Sequence, residues 1–510
     1  SKACSFTSSR SIFLAMKSAD IPQQKLGPQS THEAATPLRQ ILMMATAGAS
    51  LLASQYIASR ELGSTFFVTE LSLIAATVMT LVGPSLGYAL SLTFRPSFRI
   101  MNAWAMLSLV MLWLLPVGIR TLWASVGTAH PWLSGTVLAI ALSIVCGYYS
   151  FILPLIAKPA SVPHLYAAEL CGAALMLLFI AASPSHTVFL LSAFLLASLL
   201  CGLAHGRALG LLALALSVVW TAFLGTADRR AAELFYRRVF GQKDPQLVES
   251  HYSPYQRIDV IAEGGNKSLF LDGVPFYRAG DLDAFDVFLA KVPGKLLRRP
   301  QGRALVIGSG SFSSAAHLFR LGYRVHVIEL DAAVARIGFR QFATQHQLQE
   351  GQITVEIADA RTALPKTTER YDLIVLDVPA PYRTQTALLH APAFYSVVAQ
   401  HLTEGGIVAL SLCASLREPL GRQIAASAAL SFSDLMVVES EAVGLAILYA
   451  GNKLPFSASE LSRELRSHDP EAGEVIPNRA VRRQVLSESP LSQQNLLGVL
   501  WLSREAMSAR

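Results

Sequence analysis

Long apolar stretches recur through the first half of the sequence, each bounded by Arg, Lys, Pro or a polar turn. They cover residues 41–59, 66–92, 100–119, 132–157, 165–183, 187–203 and 208–226. A helix needs about 20 mainly apolar residues to cross the hydrocarbon core of a bilayer. None of the stretches has the polar face at helical spacing that a helix on the surface of a soluble core would have. The pattern therefore predicts seven transmembrane helices.

After the seventh stretch the pattern becomes that of a soluble α/β protein. An amphipathic linker helix is predicted over residues 227–248. Alternating apolar and polar positions with Gly-rich connections predict strands and a hairpin over residues 249–300. Repeated strand–helix units predict a Rossmann-like domain over residues 301–455, followed by a helical extension at residues 456–510. Residues 1–38 are polar and mixed, and we expect an N-terminal tail there.

Composition agrees with this division. Only 15% of the 510 residues are charged, against roughly 25% in soluble domains, and we count nine charged residues between positions 40 and 226. The net charge of +7 is explained by basic residues that flank the apolar stretches and attract anionic lipid headgroups. No basic patch interleaved with aromatic residues indicates a nucleic-acid partner. The five cysteines have no metal-binding spacing, and we expect no metal.

The strongest chemical signal is the segment RALVIGSGSFSSAAHLFRLGYRVHVIELD at residues 303–331. Gly308 and Gly310 follow an apolar strand, and glycines at such a turn allow the backbone to approach a ligand closely. Glu329 ends the next strand, 21 positions after Gly308, where an acid accepts hydrogen bonds from ribose hydroxyls. The segment therefore predicts a nucleotide-binding turn.

Two later strands also end in acids. VEIADAR places Asp359 and Ala360 after the third strand, and YDLIVLD places Asp377 after the fourth. Doubly wound sheets bind ligands at the carboxyl ends of their strands. A dehydrogenase usually has a glycine where this chain has Ser313, so the pattern favours a class I adenosyl-nucleotide transferase domain.

Between residues 247 and 413 the sequence resembles the spermidine synthase (polyamine aminopropyltransferase) family. The motifs that carry the resemblance are SPYQR, LFLDGV, LVIGSG, VIELD, the Asp359-Ala360 pair, YDLIVLD and AFY. The first half is similar to the membrane domain of some bacterial members, in VGPSLGYAL and LYAAELCGA. The implied fold is a multi-span α-helical membrane domain followed by a Rossmann-like α/β domain with a small β-hairpin region before it.

The resemblance also implies roles for individual residues. Gln256, Glu329, Asp359 and Ala360 match the nucleotide contacts of the family, and Asp377 matches its general base. The implied donor is decarboxylated S-adenosylmethionine or S-adenosylmethionine itself. The implied reaction is attack of an amine on the carbon next to the sulfonium, which releases methylthioadenosine.

The family pattern is altered on the amine side. Ser311 stands where the acid of the glycine-rich turn is expected, and Asp286 stands where a histidine is expected. The loop after Asp377 reads Val-Pro-Ala-Pro and lacks the second acid. Asp286, Ser311 and Tyr255 are therefore candidate substrate contacts, with Asp283 as a second replacement acid. We expect an amine acceptor other than free putrescine, with one amine and an apolar body.

Two other functions stay open at this point. Loss of the amine-binding acid favours an S-adenosylmethionine-dependent methyltransferase on the same fold. Alternatively, the chain is an inactive nucleotide- or polyamine-binding transporter or sensor. In that case Glu70 and Glu169, which lie within apolar stretches, are the functional residues, because carboxylates in hydrocarbon usually face a cavity or a partner.

The expected location is the cell inner membrane, with the soluble domain in the cytosol where adenosyl nucleotides are made. The positive-inside rule opposes this, because five basic residues fall on the N-terminal side of the predicted spans: Arg39, Arg95, Arg99, Lys158 and Arg207. The lipid bilayer is the expected partner, and a homodimer is an expectation that the resemblance alone carries.

Overall fold

The computed structural model describes residues 37–66, 70–158, 161–183, 185–279, 285–299, 301–440 and 445–491. Its first half is a helical bundle of α1 (Leu38–Phe66), α2 (Glu70–Thr93), α3 (Phe98–Leu122), α4 (Pro131–Ile156), α5 (Val162–Ala182), α6 (His186–His205) and α7 (Arg207–Phe240). In the described part of the chain, seven helices are long and apolar enough to cross a membrane. The prediction of seven long apolar helices is therefore confirmed.

Small residues let the helices of the bundle approach closely. A methyl group added to Gly48 of α1 would collide with the backbone carbonyl of Glu169, and one added to Gly172 of α5 would collide with that of Ala45. Close approach of small residues is the usual way in which helices associate in lipid, where apolar burial alone provides little driving force.

The predicted linker helix is not a separate element. Helix α7 continues without a break from the apolar stretch to Phe240, ends at the left-handed Gly241, and is followed by strand β1 from Gln246. The amphipathic residues after position 226 continue the same helix because neither glycine nor proline follows them until Gly241. The last helix of the bundle therefore leads directly to the first strand of the soluble half.

A four-stranded antiparallel sheet opens the soluble half. Its strands are β1 (Gln246–Tyr252), β2 (Arg257–Glu263), β3 (Asn266–Leu271) and β4 (Val274–Arg278), in that order across the sheet. Asp272 and Gly273 connect the last two strands, and both have positive φ angles, 50° and 75°. That conformation matches the right-handed twist of a two-residue hairpin.

The remaining strands form one eight-stranded sheet in the order β12-β10-β11-β9-β8-β5-β6-β7. Five of them are parallel: β5 (Arg303–Ile307), β6 (Arg324–Glu329), β7 (Thr354–Ile357), β8 (Tyr371–Leu376) and β9 (Leu402–Ser411). Strands β10 (Asp434–Ser440), β11 (Leu445–Gly451) and β12 (Val475–Pro477) extend the sheet in antiparallel fashion. The Rossmann-like prediction is confirmed.

Helices cover both faces of this sheet. They are α8 (Val292–Leu296, preceded by a π-helical turn at Val287–Lys291), α9 (Ser313–Arg320), α10 (Ala332–Phe342), α11 (Ala360–Ala363), α12 (Thr384–Ala387), α13 (Pro392–Gln400), α14 (Pro419–Ala429), α15 (Ala458–His468) and α16 (Asn478–Val485). The C-terminal extension is not wholly helical, because it contributes β12 to the sheet. Residues 492–510 of that extension lie outside the described residues.

A buried ion network joins the bundle to the four-stranded sheet. Arg257 of β2 is 1% exposed and donates to both oxygens of Asp228 at 2.8 Å and to both oxygens of Asp259 at 2.9 Å. Arg120 of α3 lies 3.5 Å from Asp259 and donates to the Ser64 hydroxyl at 3.1 Å. Because Asp228 belongs to α7 and Arg120 to α3, the network fixes the sheet against the ends of these helices.

We predict that this network contributes strongly to stability. Replacing Arg257 with Met leaves Asp228 and Asp259 as buried carboxylates that have lost their main partner, which typically costs about 3–5 kcal/mol. The expected result is a loss of that size in the free energy of unfolding of the full chain in mild detergent. Chemical denaturation followed by near-ultraviolet circular dichroism measures it.

The matched control is Arg298→Ala. The guanidinium of Arg298 is 79% exposed and lies 3.8 Å from Glu460, and exposed pairs of this kind contribute only about 0.2–1 kcal/mol. Equal losses in the two variants would contradict a structural role for the buried network.

Candidate functional site

The carboxyl ends of β5 and β8 lie side by side, with the glycine turn between them. Gly308 has a φ of 70°, and a methyl group there would collide with the backbone carbonyl of Asp377. The amide of Asp377 donates to the Ile307 carbonyl at 2.9 Å. Strand order reverses at this point, and that is where open α/β sheets bind ligands. The predicted turn and the predicted base are therefore neighbours.

The second glycine of the turn is covered by the four-stranded sheet. A methyl group on Gly310 would lie 2.5 Å from the ring of Phe276 in β4. On the other side, the Gly310 carbonyl packs so closely against Gly338 of α10 that a methyl group on Gly338 would collide with it. The glycine-rich turn is thus held between the small sheet and α10.

Glu329 lies at the end of β6 with its carboxylate turned towards the glycine turn. One oxygen accepts from the amide of Ser309 at 3.3 Å, and the other accepts from the amide of Asp331 at 2.9 Å. The side chain is 8% exposed, and burial raises the pKa of Glu329. This placement beside the turn is the one that the sequence predicts for a ribose-binding acid.

Gln256 and Tyr255 are tied to the same edge through Ser253. The Ser253 hydroxyl donates to Asp331 at 2.5 Å and accepts from the amides of Tyr255 and Gln256 at 3.1 and 3.0 Å. Asp331 also caps α10 by accepting from the Ala333 amide. The side chain of Gln256 is half-buried, whereas Tyr255 is exposed.

Asp359 and Ala360 follow the edge strand β7. The Asp359 carboxylate accepts from the guanidinium of Arg361 at 2.6 Å and from the Arg361 amide at 3.0 Å. These hydrogen bonds, above all the one from the guanidinium, lower the pKa of Asp359. Asp359 is therefore ionised at neutral pH, while Ala360 is buried at the start of α11.

Three carboxylates converge around the end of β8. Asp377 is half-buried, and burial desolvates its carboxyl group. This desolvation, together with the charges of Asp286 and Glu329, raises the pKa of Asp377 well above its ordinary value. Asp286 is 5% exposed and accepts from the Ser314 hydroxyl at 3.0 Å. Such a group of acids is suited to hold a cationic ligand and to accept a proton from it.

Serines replace acids and glycines around the turn. Ser311 is 4% exposed, and its hydroxyl accepts from the Ser313 amide at 3.3 Å. Ser309 is 2% exposed, and its hydroxyl has no hydrogen-bond partner within the described ranges. Buried hydroxyls are normally bonded, so Ser309 is a candidate ligand contact.

The loop after Asp377 presents an apolar surface. Val378 packs against the core of the large sheet, and the Pro379 carbonyl lies 3.0 Å from His390. Burial lowers the pKa of His390 to about 4, so its imidazole is neutral at physiological pH. The loop itself, Val-Pro-Ala-Pro at positions 378–381, contains no acid after Asp377.

The intramembrane candidates lie outside this group of residues. Glu169 of α5 is 7% exposed, and both of its carboxylate oxygens lie 3.3 Å from the Tyr88 hydroxyl. The side chain of Glu70, like residue Asp283, lies outside the described residues. The structure therefore brings together Gly308, Glu329 and Asp377, and it adds Asp286 to them.

Sequence reasoning missed three residues of the site. Ser253 and Asp331 connect the SPYQR turn to the Glu329 strand, and Ser314 binds Asp286. Asp331 was recognisable as a helix cap, because it directly precedes α10. Ser253 and Asp331 are 78 positions apart, and a local sequence pattern does not predict a contact between residues so far apart.

These features define a Rossmann-like α/β domain that follows a helical bundle in the sequence. Residues 283–438 match the family model described as the spermine/spermidine synthase domain. The Rossmann-like part of the chain is therefore similar to the spermine/spermidine synthase domain.

Curated relatives agree with the family model. Polyamine aminopropyltransferase 2 of Aquifex aeolicus is 25% identical over 32% of this chain and 34% of its own length. Polyamine aminopropyltransferase of Corynebacterium efficiens is 31% identical over 32% of both chains. The Thermoplasma acidophilum enzyme is 27% identical over 36% of this chain and 68% of its own. The chain thus spans about a third of the length of the first two relatives.

We predict that ionised Asp377 destabilises the fold. Its folded-state pKa is raised above the unfolded value, roughly 3.9, so folding disfavours the charged form. The resulting loss of folding free energy is absent at pH values below the unfolded pKa. It grows as the pH rises from the unfolded pKa through the folded pKa. Asp377→Asn should therefore unfold at a higher temperature than the wild type at pH 8, and the difference should disappear near pH 4.

Asp372→Asn provides a control of opposite sign. Burial acts to raise the pKa of Asp372, but hydrogen bonds from Arg303, Thr403 and Arg299 outweigh it and lower that pKa. Its ionised form stabilises the fold above the unfolded pKa, so Asp372→Asn should lower the unfolding temperature at pH 8. A lower unfolding temperature for Asp377→Asn than for the wild type at pH 8 would contradict the prediction. It would show that protein groups stabilise the ionised carboxylate of Asp377.

Proposed function

We propose that this protein is a membrane-bound transferase of the aminopropyltransferase type. The observation that carries the proposal is the position of Asp377. It lies at the reversal of strand order, beside the glycine turn, with a raised pKa and two further acids around it. A group that must accept a proton from an ammonium near neutral pH needs a carboxyl of this kind.

The nucleotide half of the site is suited to an adenosyl donor. Glu329 is buried beside the glycine turn and offers two oxygens to vicinal ribose hydroxyls. Ionised Asp359 and the neighbouring Ala360 lie at the next strand end, where an exocyclic adenine amine would meet them. Half-buried Gln256 and the unpartnered hydroxyl of Ser309 complete the polar contacts.

The reaction that this arrangement supports is an in-line displacement. The lone pair of the acceptor amine forms a bond to the carbon beside the sulfonium, and the carbon–sulfur bond breaks with its electron pair passing to sulfur. Asp377 takes the proton that the alkylated amine loses. The sulfonium thereby becomes a neutral thioether, and no covalent enzyme intermediate is needed, because the main contribution of the protein is alignment.

The acceptor side of the site favours one amine and an apolar body. Asp286 is the acid whose charge acts most strongly on Asp377, and we propose that it pairs with an ammonium, whereas Val378 and Pro379 provide an apolar wall. A diamine brings two charges, and each needs a partner to offset its desolvation. Decarboxylated S-adenosylmethionine is the proposed donor, and a monoamine or a larger amine, rather than free putrescine, is the proposed acceptor.

Incubation of the purified full chain with an amine panel and each donor tests this function. Methylthioadenosine formed from decarboxylated S-adenosylmethionine is the expected product, with hexylamine consumed faster than putrescine. Asp377→Asn should lower turnover by about 10²–10⁴-fold while nucleotide affinity stays nearly constant. Glu329→Ala should weaken nucleotide binding at least about tenfold.

The results separate the alternatives. Adenosylhomocysteine as the product would replace this function with methyl transfer. Nucleotide binding without any product would replace it with a binding role. Brisk turnover of putrescine would contradict the acceptor assignment, and an active Asp377→Asn variant would contradict the base assignment.

We further propose that the bundle crosses the inner membrane and that the soluble domain faces the cytosol. The supply of adenosyl nucleotide supports this orientation. The basic residues at the far end of the bundle oppose it, since Arg39 contacts the Leu203 carbonyl there, away from the soluble domain. Exposed Arg229 and Arg230 at the end next to the soluble domain offset them.

Cysteine labelling in intact cells decides the orientation. In a cysteine-free background, Arg230→Cys should resist a membrane-impermeant thiol reagent, because exposed Arg230 lies beside the soluble domain. Lys158→Cys, exposed between α4 and α5 at the opposite end of the bundle, should react. The reverse pattern would place the soluble domain outside the cytosol.

A further inference from the structure

A cavity of about 370 Å³ lies between the ends of the bundle helices and strand β1. Its apolar wall comes from α3, α6 and α7, through Pro116, Leu190 and Leu224. Its polar wall includes Glu61 of α1 and Tyr252 of β1. None of these residues belongs to the group around Asp377.

Glu61 is a buried carboxylate that is only half satisfied. It is 1% exposed, and one oxygen accepts from the Tyr252 hydroxyl at 2.7 Å. The other oxygen has no hydrogen-bond partner in the part of the chain that the structure describes. Desolvating a carboxylate costs several kcal/mol unless a cation and hydrogen bonds offset that cost. A hydrogen-bond donor at this oxygen would therefore stabilise the buried carboxylate.

The neighbouring cations are engaged elsewhere. Arg60 donates to the Ser253 carbonyl at 2.7 Å, Arg120 serves Asp259 and Ser64, and Arg257 serves Asp228 and Asp259. Among the described residues, no hydrogen bond or ion pair joins any of the three guanidinium groups to Glu61, and the buried Nε of Arg120 is itself without a partner.

The two remaining basic groups do not form a hydrogen bond with the free oxygen of Glu61 either. His186 stacks on the Tyr252 ring at 3.9 Å, and its Nε2 lies 3.6 Å from the bonded oxygen of Glu61, beyond hydrogen-bond distance. Arg229 lines the cavity but is exposed to solvent and forms no ion pair with Glu61 among the described residues.

We propose that this cavity binds a primary amine with an apolar body. The ammonium would donate to the free oxygen of Glu61, and the hydrocarbon part would lie against Leu190 and Leu224. A second charge on the ligand would find no free acid among the described residues that line the cavity. Both oxygens of Asp228 accept from Arg257, and both oxygens of Glu249 accept from side chains of α10. The site is separate from the proposed transferase centre, and its existence does not rest on that activity.

Two sources provide this chemistry, a soluble alkylamine and the headgroup of an ethanolamine lipid. Calorimetric titration of the full chain in mild detergent, first with hexylamine and then with a short-chain phosphatidylethanolamine, distinguishes them. We expect saturable binding of at least one, and Glu61→Gln should weaken it at least about tenfold, the effect of losing a charge-assisted hydrogen bond. Glu350→Gln, the same change at an exposed glutamate, should leave it unchanged.

A second variant tests the apolar wall without touching the carboxylate. Leu224→Phe fills the cavity and should also weaken binding, with the unfolding temperature as a check on folding. The proposal is overturned if neither probe binds, if 1-hexanol binds as tightly as hexylamine, or if Glu61→Gln and Glu350→Gln bind alike. If Glu61→Gln does not fold, unchanged binding in a folded Leu224→Phe overturns it.

Discussion

The guanidinium of Arg257 has to be fully paired, because it lies 1% exposed between a helical bundle and a β-sheet. Asp228 and Asp259 supply four short hydrogen bonds to it, and the Tyr252 hydroxyl accepts a fifth at 2.8 Å. A buried charge without such partners would carry a desolvation cost comparable to the stability of a whole domain. This requirement fixes α7, β1 and β2 in a single arrangement, and the position of the soluble domain follows from it.

That arrangement also links the bundle to the nucleotide edge. Arg60 of α1 donates to the Ser253 carbonyl, the Ser253 hydroxyl donates to Asp331, and the Asp331 amide donates to Glu329. Each step is a direct hydrogen bond of 2.5 to 2.9 Å. The acid that we propose to bind ribose is therefore positioned in part by a residue of the helical half, which gives the bundle a structural role in the soluble half.

The sequence predicted the parts of the fold that depend on local periodicity. Long apolar runs correspond to the seven helices, and strands that end in Gly308, Glu329 and Asp377 come together because parallel strands share one carboxyl edge. The sequence did not predict the continuation of α7 to Phe240, since an amphipathic segment after an apolar one resembles a new helix. Nor did it predict β12, whose three residues are too few to show a period of two.

The contacts between the halves were beyond sequence reasoning for a different reason. Arg120 and Asp259 are 139 positions apart, and each charge taken alone resembles an ordinary flank of a membrane span or an exposed strand residue. Only the folded chain shows that these charges are buried and paired. Asp286 was recognised as a candidate from its position in the family pattern, whereas its electrostatic contact with Asp377 required the structure.

The distribution of acids is the basis of the chemistry that we propose for this chain. Around Asp377 the pattern replaces the acid of the glycine turn with Ser311 and the second loop acid with an apolar wall, yet Asp286 adds a carboxylate. Under the proposed function, the site supplies one carboxylate for the sulfonium and one for a single ammonium, rather than two for a diamine. Glu61 presents the same combination beside the bundle, because it has one unpartnered carboxylate oxygen among the described residues and lines a cavity with an apolar wall. In both proposals a cation would be selected by pairing one charge and burying the rest of the ligand, which is the selectivity expected where an amine reaches a protein from an apolar phase.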